Sequence, residues 1–84
     1  MGRRGYVFVG LDSEVTPQKC LEIRRNLEAM QEVITVDEVG GFNSVDMLAL
    51  VDAPIMLADV AHQIARIPGV TKAQSVPIIS GPEF

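Results

Sequence analysis

The chain has 84 residues, 48% of them hydrophobic, and its seven basic and eleven acidic residues give a net charge of −4. Its mass is 9.1 kDa, and a chain of this size buries only about 60% of the surface that it exposes when unfolded. A two-lobed enzyme is therefore excluded, and a self-sufficient monomer is marginal. Because the chain has one cysteine and one histidine, it allows no intrachain disulfide and no Cys- or His-rich metal cluster.

Charge and hydropathy also set expectations about partners and location. An acidic chain without a stripe of Lys and Arg is a poor candidate for direct binding to nucleic acid. No apolar stretch approaches the roughly 20 residues of a membrane span, and the run Tyr6–Leu11 is too short for a signal peptide. We expect a cytoplasmic protein with one domain over residues 1–84, a core over about 5–79 and a tail over 80–84.

The first half of the chain predicts a strand, a helix and a second strand. Gly5–Leu11 is short, apolar and rich in aromatic and β-branched residues, which is typical of a strand. Thr16 can cap a helix over Pro17–Gln31, because proline is well tolerated at the first helical position. Apolar residues recur along this helix at steps of three and four, so we expect it to be amphipathic. The β-branched run Val33–Val39 predicts the second strand.

The second half repeats this pattern. Gly40–Ser44 is rich in residues that tolerate positive φ and predicts a turn. The nearly continuous apolar run Val45–Val51 predicts the third strand, and Pro54 is expected to open the second helix. Pro68 and the following glycine end that helix, and Val70–Ile79 predicts the fourth strand.

An internal repeat and the element order together predict the fold. Leu27, Met30 and Val33 are matched 37 positions later by Ile64, Ile67 and Val70. Two βαβ units with right-handed crossovers give a βαββαβ chain of the α+β class. We expect a ferredoxin-like fold, in which a four-stranded antiparallel sheet carries both helices on one face.

Charged residues and proline predict which strands lie at the edges of the sheet. The second strand contains Asp37 and Glu38, and the fourth contains Lys72 and Pro77. Proline within a strand is tolerated mainly at an edge. The first and third strands are apolar apart from Asp46, so the expected order is 4-1-3-2.

The two central strands are apolar on both faces. Along the first strand Tyr6 and Phe8 alternate with Val7, Val9 and Leu11, and along the third Leu48 and Leu50 alternate with Met47, Ala49 and Val51. An antiparallel sheet with one solvated face normally alternates apolar with polar residues. The face away from the helices must therefore be covered too, and a second copy of the chain is the expected cover. We expect an obligate homo-oligomer.

Groups that could carry catalysis are few, and we expect no enzyme, no catalytic residue, no metal and no cofactor. Cys20 falls on the apolar stripe of the first helix and is expected to be a small buried hydrophobe. His62 lies off the apolar stripe of the second helix and is expected to be exposed. The adjacent Asp37 and Glu38 point to opposite faces of a strand, so they cannot act as a pair.

Asp46 is the most informative charged residue, and two interpretations of it stay open. It is a lone carboxylate that begins an apolar central strand directly after a glycine turn. It can be a strand-end residue that is exposed or accepts hydrogen bonds from N–H groups of the turn. Alternatively, it can position the ammonium group of a ligand at a boundary between subunits.

Two segments resemble a known family. The segments Val45–Pro54 and Ile64–Thr71, together with the glycine turn, resemble the effector-binding domain of the Lrp/AsnC transcription regulators. The resemblance covers about Tyr6–Ile79 and does not include the family's helix-turn-helix domain. It implies a domain that regulates amino-acid metabolism without binding DNA itself.

The resemblance also implies an assembly and a ligand site. In that family sheet faces pack into a dimeric α+β barrel, dimers associate into octamers or other rings, and an amino acid binds between dimers. The matching ligand-site residues here are Gly41, Phe42, Asn43, Ser44, Asp46 and Ser75. Full-length regulators of the same family are the implied partners in mixed assemblies.

Three departures from the family pattern bear on the ligand. The family turn often reads Gly-x-aromatic-Asp, whereas four residues separate Gly41 from Asp46 here, and Val45 takes the aromatic position. The family's Thr-x-Thr on the last strand is replaced by Ala73-Gln74-Ser75.

An alternative function is a ferredoxin-like maturation chaperone that captures a peptide along a sheet edge.

Overall fold

A computed structural model describes residues 3–79, apart from the side chain of Phe42. The predicted βαββαβ order is confirmed, and the predicted tail over 80–84 lies outside the described residues. The elements are β1 (Arg3–Leu11), α1 (Pro17–Glu28), β2 (Val33–Glu38), β3 (Met47–Ala53), α2 (Leu57–Ala65) and β4 (Val70–Pro77). A short 3₁₀ turn, Phe42–Ser44, lies between β2 and β3.

The four strands form one antiparallel sheet in the order β2-β3-β1-β4. This is the predicted order 4-1-3-2 read from the opposite edge. The features used to predict it lie at the edges, since Asp37 and Glu38 are exposed on β2 and Pro77 is exposed at the end of β4. The predicted ferredoxin-like fold is therefore confirmed, and in the single chain its sheet is open.

Several element boundaries differ from the predictions. β3 runs over Met47–Ala53 rather than Val45–Val51, because its pairing with β1 extends to Ala53 opposite Arg3. The second helix begins at Leu57 and not at Pro54, because Met56 is still extended, with φ −132° and ψ 137°. Pro54 therefore belongs to the bend between the strand and the helix.

The remaining boundary differences lie at element ends. The first helix ends at Glu28 rather than Gln31: Ala29 still donates to the Arg25 carbonyl at 3.0 Å, but the next N–H, on Met30, donates to the Leu27 carbonyl in a tighter turn. The second strand ends at Glu38 and the fourth at Pro77, so both are shorter than predicted, and β1 starts two residues earlier, at Arg3. At the start of α1 the predicted cap is present, because the Thr16 hydroxyl accepts a hydrogen bond from the Lys19 N–H at 3.1 Å.

The internal repeat corresponds to a repeated backbone turn. After α1, the N–H of Met30 donates to the carbonyl of Leu27 and the N–H of Val33 donates to that of Met30, both at 3.1 Å. After α2, Ile67 and Val70 make the equivalent bonds to the residues three positions before them, both at 3.0 Å. Each helix thus enters its following strand through the same tight turn, which explains the 37-residue spacing.

The core lies between the sheet and the two helices. The sheet contributes alternating residues whose side chains are fully buried, among them Val7, Val9, Met47, Ala49 and Val51. The helices contribute Ile23 and Leu27 from α1 and Val60 and Ile64 from α2. Within residues 3–79, no helix is long and apolar enough to cross a membrane.

An ion pair fixes α1 against the edge strand β2. The Arg24 guanidinium lies 2.9 Å from the Glu38 carboxylate and donates to the Val36 carbonyl at 3.1 Å. Hydrogen bonds to Glu38 and then to Glu28 raise the pKa of Arg24 above its usual range. Glu38 therefore has a structural partner on the helix side of the sheet, while Asp37 points to the other side.

The chain between β2 and β3 folds back over the end of β1, where only glycine leaves enough room. A Cβ atom on Gly10 would lie 2.6 Å from the Ser44 carbonyl oxygen and 3.3 Å from the Cβ of Lys72. Backbone cannot move aside as a flexible side chain can, so the close approach requires glycine at position 10.

We expect Gly10→Ala to destabilise the fold by about 1–3 kcal/mol, the usual cost of overpacking. Gly40→Ala is the matched control, because nothing lies within 4 Å of the position of its added Cβ. Chemical denaturation of the two variants measures the difference. If Gly10→Ala and Gly40→Ala are equally stable, the Ser44 carbonyl does not restrict the side chain at position 10.

Candidate functional site

The turn between β2 and β3 has an unusual backbone. Gly41, Asn43 and Ser44 all have positive φ, at 80°, 55° and 64°. Positive φ is uncommon for residues other than glycine and is strained for serine. The turn is closed by a hydrogen bond from the Ser44 N–H to the Gly41 carbonyl, at 3.2 Å. It presents backbone groups in directions that a regular turn would not.

Asp46 joins this turn to both neighbouring strands. Its backbone N–H donates to the Val9 carbonyl at 2.8 Å, and its carbonyl accepts from the Val39 N–H at 3.0 Å. Its carboxylate Oδ2 accepts from the Leu11 N–H at 2.8 Å. The β1–β4 register shifts between Gly10 and Leu11, so the carboxylate provides an acceptor for an N–H group at this irregularity.

This contact refines the two interpretations of Asp46. The carboxylate has a structural partner, but that partner belongs to β1 and not to the turn itself. The other oxygen, Oδ1, lies 3.8 Å from where a Cβ on Gly41 would stand. An ionised carboxylate offers about four acceptor sites, so one N–H bond leaves Asp46 able to bind a ligand cation beside the turn.

The structure brings most of the predicted ligand residues together. The segment Gly41–Ser44, which includes Phe42, lies beside Asp46. Ser75 lies apart: it pairs with Val7, whose side chain is buried on the helix side of the sheet. It is three residues along β4 from Lys72, the residue opposite Gly10, which corresponds to about 10 Å. Within one protomer, Ser75 is not part of the group around the turn.

Lys72 belongs to the surroundings of the turn, although the sequence marked it only as an edge-strand charge. Its Nζ lies 3.5 Å from the Asn43 carbonyl oxygen. It borders a concavity of about 500 Å³ beside the turn, whose other lining residues are Phe8, Val39, Asn43, Val45, Leu48 and Gln74. The signal that could have identified it is strand alternation, which places Lys72 and Gln74 on the same face as Phe8.

The sheet face away from the helices is apolar and open. We call it the open face and define its centre by Tyr6, Phe8, Leu48 and Leu50. Tyr6 is 37% exposed and the other three are half-buried, whereas Val9 on the opposite face is fully buried. Val76 on β4 and Ile78 just after its end extend the apolar surface, with 37% and 39% of their areas exposed. No helix in residues 3–79 lies over this face, since α1 and α2 both pack on the other side.

The groups considered for catalysis occupy ordinary structural positions. Cys20 is half-buried against the core rather than fully buried, and burial, followed by the charges of Glu38 and Asp46, raises the pKa of its thiol. A raised thiol pKa lowers the fraction of reactive thiolate at neutral pH. His62 is exposed on α2, as predicted. Among residues 3–79, no three His, Cys, Asp or Glu side chains are grouped as metal ligands.

Comparison with known proteins adds no assignment to this geometry. No protein-family model matches the chain, and no curated protein matches it in sequence. Two features of residues 3–79 bear on function: the open face, and the turn that contains Gly41–Ser44 and ends at Asp46.

Replacing Asp46 separates its hydrogen bond from its charge. Asp46→Ala leaves the partly buried Leu11 N–H without this acceptor, so we expect a loss of about 1–3 kcal/mol in unfolding free energy. Asp46→Asn keeps an acceptor oxygen of the same size, so we expect it to lose less than half as much. Urea denaturation of both variants checks this. If alanine is tolerated as well as asparagine, the Leu11 contact does not stabilise the fold.

Proposed function

We propose that the chain is a non-enzymatic, oligomeric domain that senses a small molecule, with an α-amino acid as the ligand class. The observation that carries the proposal is the open face, an apolar sheet surface that the described helices leave uncovered. The resemblance to the Lrp/AsnC effector domain supports the same function. In this proposal the domain acts in the cytoplasm and needs no cofactor.

A second copy is the proposed cover of the open face. The four central residues, Tyr6, Phe8, Leu48 and Leu50, are contiguous across the two central strands, because Tyr6 pairs with Leu50 and Phe8 with Leu48. Contiguous apolar surface of this kind marks interaction sites in natural proteins. Two such faces packed together form an interface like a domain core, and obligate homodimers typically bury about 2,000 Å² or more.

The proposed ligand site is the turn beside Asp46. An α-amino acid carries an ammonium and a carboxylate close together, so its site needs an anionic acceptor and N–H donors at short range. Asp46 provides the acceptor, and the positive φ values of Gly41 and Asn43 turn backbone N–H groups out of the regular pattern, whereas the Ser44 N–H is bonded within the turn. Because Ser75 lies elsewhere in the protomer, its hydroxyl would have to come from another subunit.

Assembly and sensing are connected in the proposed mechanism. A ligand at a boundary between dimers stabilises whichever assembly forms the complete site, and it shifts the equilibrium only by its difference in affinity between assemblies. Octamers or other rings of dimers would provide such boundaries. Mixed assembly with full-length Lrp/AsnC-type regulators would then transmit the ligand signal to transcription, without direct contact between this domain and DNA.

We expect a native mass of at least twice 9.1 kDa at micromolar concentration, measured by size exclusion with light scattering. Phe8→Asp places a charge on the open face and should give a folded monomer. The adjacent Val9→Asp places the same charge in the core, where the side chain is fully buried, and should unfold the domain. A wild-type monomer would contradict the assembly, and a monomer that binds a peptide along a sheet edge would support the chaperone alternative.

We expect at least one amino acid at millimolar concentration to raise the melting temperature of the wild type. Asp46→Asn should weaken that binding by roughly 2–5 kcal/mol, the scale for truncating one partner of a buried charge pair. Asp59→Asn is the matched control, since it removes an exposed carboxylate on α2, which packs on the other side of the sheet. If no amino acid shifts the melting temperature, the sensing role is wrong. If Asp46→Asn binds as wild type does, Asp46 is structural only.

A further inference from the structure

Charges are distributed unevenly around the open face. The pairings place Asp37, Leu48, Phe8 and Gln74 in one row across the four strands. Lys72 is on the same face one step further along β4, opposite Gly10. The apolar centre is thus bordered by a carboxylate on the β2 edge and by an ammonium on the β4 edge.

Neither charge has an ionic partner among residues 3–79 of its own protomer. Among residues 3–79, the ion pairs involve neither Asp37 nor Lys72. The Lys72 ammonium has a carbonyl oxygen 3.5 Å away, on Asn43. The two residues lie on opposite edges of the sheet, three strand spacings or about 14 Å apart, so they do not neutralise each other directly.

We propose that the second copy packs on the open face about a twofold axis parallel to the central strands, so that Lys72 of each protomer pairs with Asp37 of the other. This inference rests on the proposed homodimer and specifies its orientation. With this axis, β4 of each protomer lies over β2 of its partner. The dimer then contains two contacts between the β4 edge, which has Lys72, and the β2 edge, which has Asp37. Between these two contacts, the four central apolar residues pack against the same residues of the partner.

The other aligned packing is disfavoured by the same charges. Face-to-face sheets pack with their strands aligned within about 30° or at near right angles. An axis in the plane of the sheet but perpendicular to the strands would place β2 over β2. The two Asp37 carboxylates would then lie about one row, or roughly 7 Å, apart along the strands. Like charges that face each other disfavour this β2-over-β2 packing. Opposite charges favour the packing that places β4 over β2.

The reach of the side chains is compatible with the proposed pairing. Packed sheets are separated by about 10 Å, and the lysine side chain is long and flexible enough to cross part of that gap while its ammonium stays at the solvent-exposed rim. The Lys72 Cα lies one row, roughly 7 Å, from the row of Asp37. A rim ion pair of this kind contributes more to orientation than to affinity.

Charge reversal tests the orientation. Sedimentation equilibrium on the full chain should give a dimer dissociation constant about tenfold higher for Asp37→Lys and for Lys72→Glu at low salt. The double variant, with both reversals, should return to within about threefold of wild type, because each charge again faces its opposite. The single-variant effects should shrink as salt rises from 50 to 500 mM, since these are rim charges.

The exposed Lys19–Glu22 pair on α1 provides the matched control, with 3.7 Å between its charged atoms. Swapping its charges, as Lys19→Glu with Glu22→Lys, should leave the dimer constant unchanged because α1 lies on the other side of the sheet. If the Asp37/Lys72 double variant has a dimer dissociation constant no lower than those of the single variants, the proposed orientation is wrong. The proposed assembly would still stand. A wild-type monomer, including one that carries a peptide or small molecule on the open face, would overturn both.

Discussion

A four-stranded sheet has two faces, and within residues 3–79 two helices of nine and twelve residues cover only one of them. The rest of the structure depends on this constraint. The covered face can be closed by the chain itself, and it is built from small and β-branched residues such as Val7, Ala49 and Val51. The other face has larger side chains, Tyr6, Phe8 and the two leucines, which protrude from the sheet. The hydrophobic effect acts on both faces alike, so within residues 3–79 the sheet keeps a second apolar surface, which the proposed second copy would cover.

The fold was largely predictable because its signals are local and repeated. Thr16 and Pro17 mark the start of a helix, and the 37-residue repeat reflects two identical helix-to-strand turns. The sheet order followed from Pro77 and the charges of β2, because proline and charge are tolerated at edges. Boundaries were less predictable. Pro54 resembles a helix start, but pairing between β3 and β1 extends the strand to Ala53 and moves the helix start to Leu57. Tertiary pairing outweighed the local signal.

The candidate site was only partly predictable, for a related reason. Gly41 and Asp46 are close in sequence, and a turn keeps them close in space. The partner of the Asp46 carboxylate is Leu11, 35 residues away, and no local pattern indicates that contact. Ser75 was grouped with the turn through the resemblance to a family, and in one protomer it lies elsewhere on the sheet. Lys72 was recognised as an edge charge, but its approach to Asn43 depends on how far the turn folds back.

The turn and the open face are parts of one surface, and this connects the two halves of the proposed function. Ser44 lies over Gly10 at the end of β1, and Val45 lines the same concavity as Phe8 and Leu48. A ligand that moves the turn therefore moves one end of the surface on which a second copy would pack. The coupling needs no long pathway, because Asp46 is bonded directly to Val9 and Leu11 of the strand that carries Phe8. Under the proposed function, a domain this small would respond to a ligand through a change in its assembly, since a displacement at the proposed site would also displace the proposed interface.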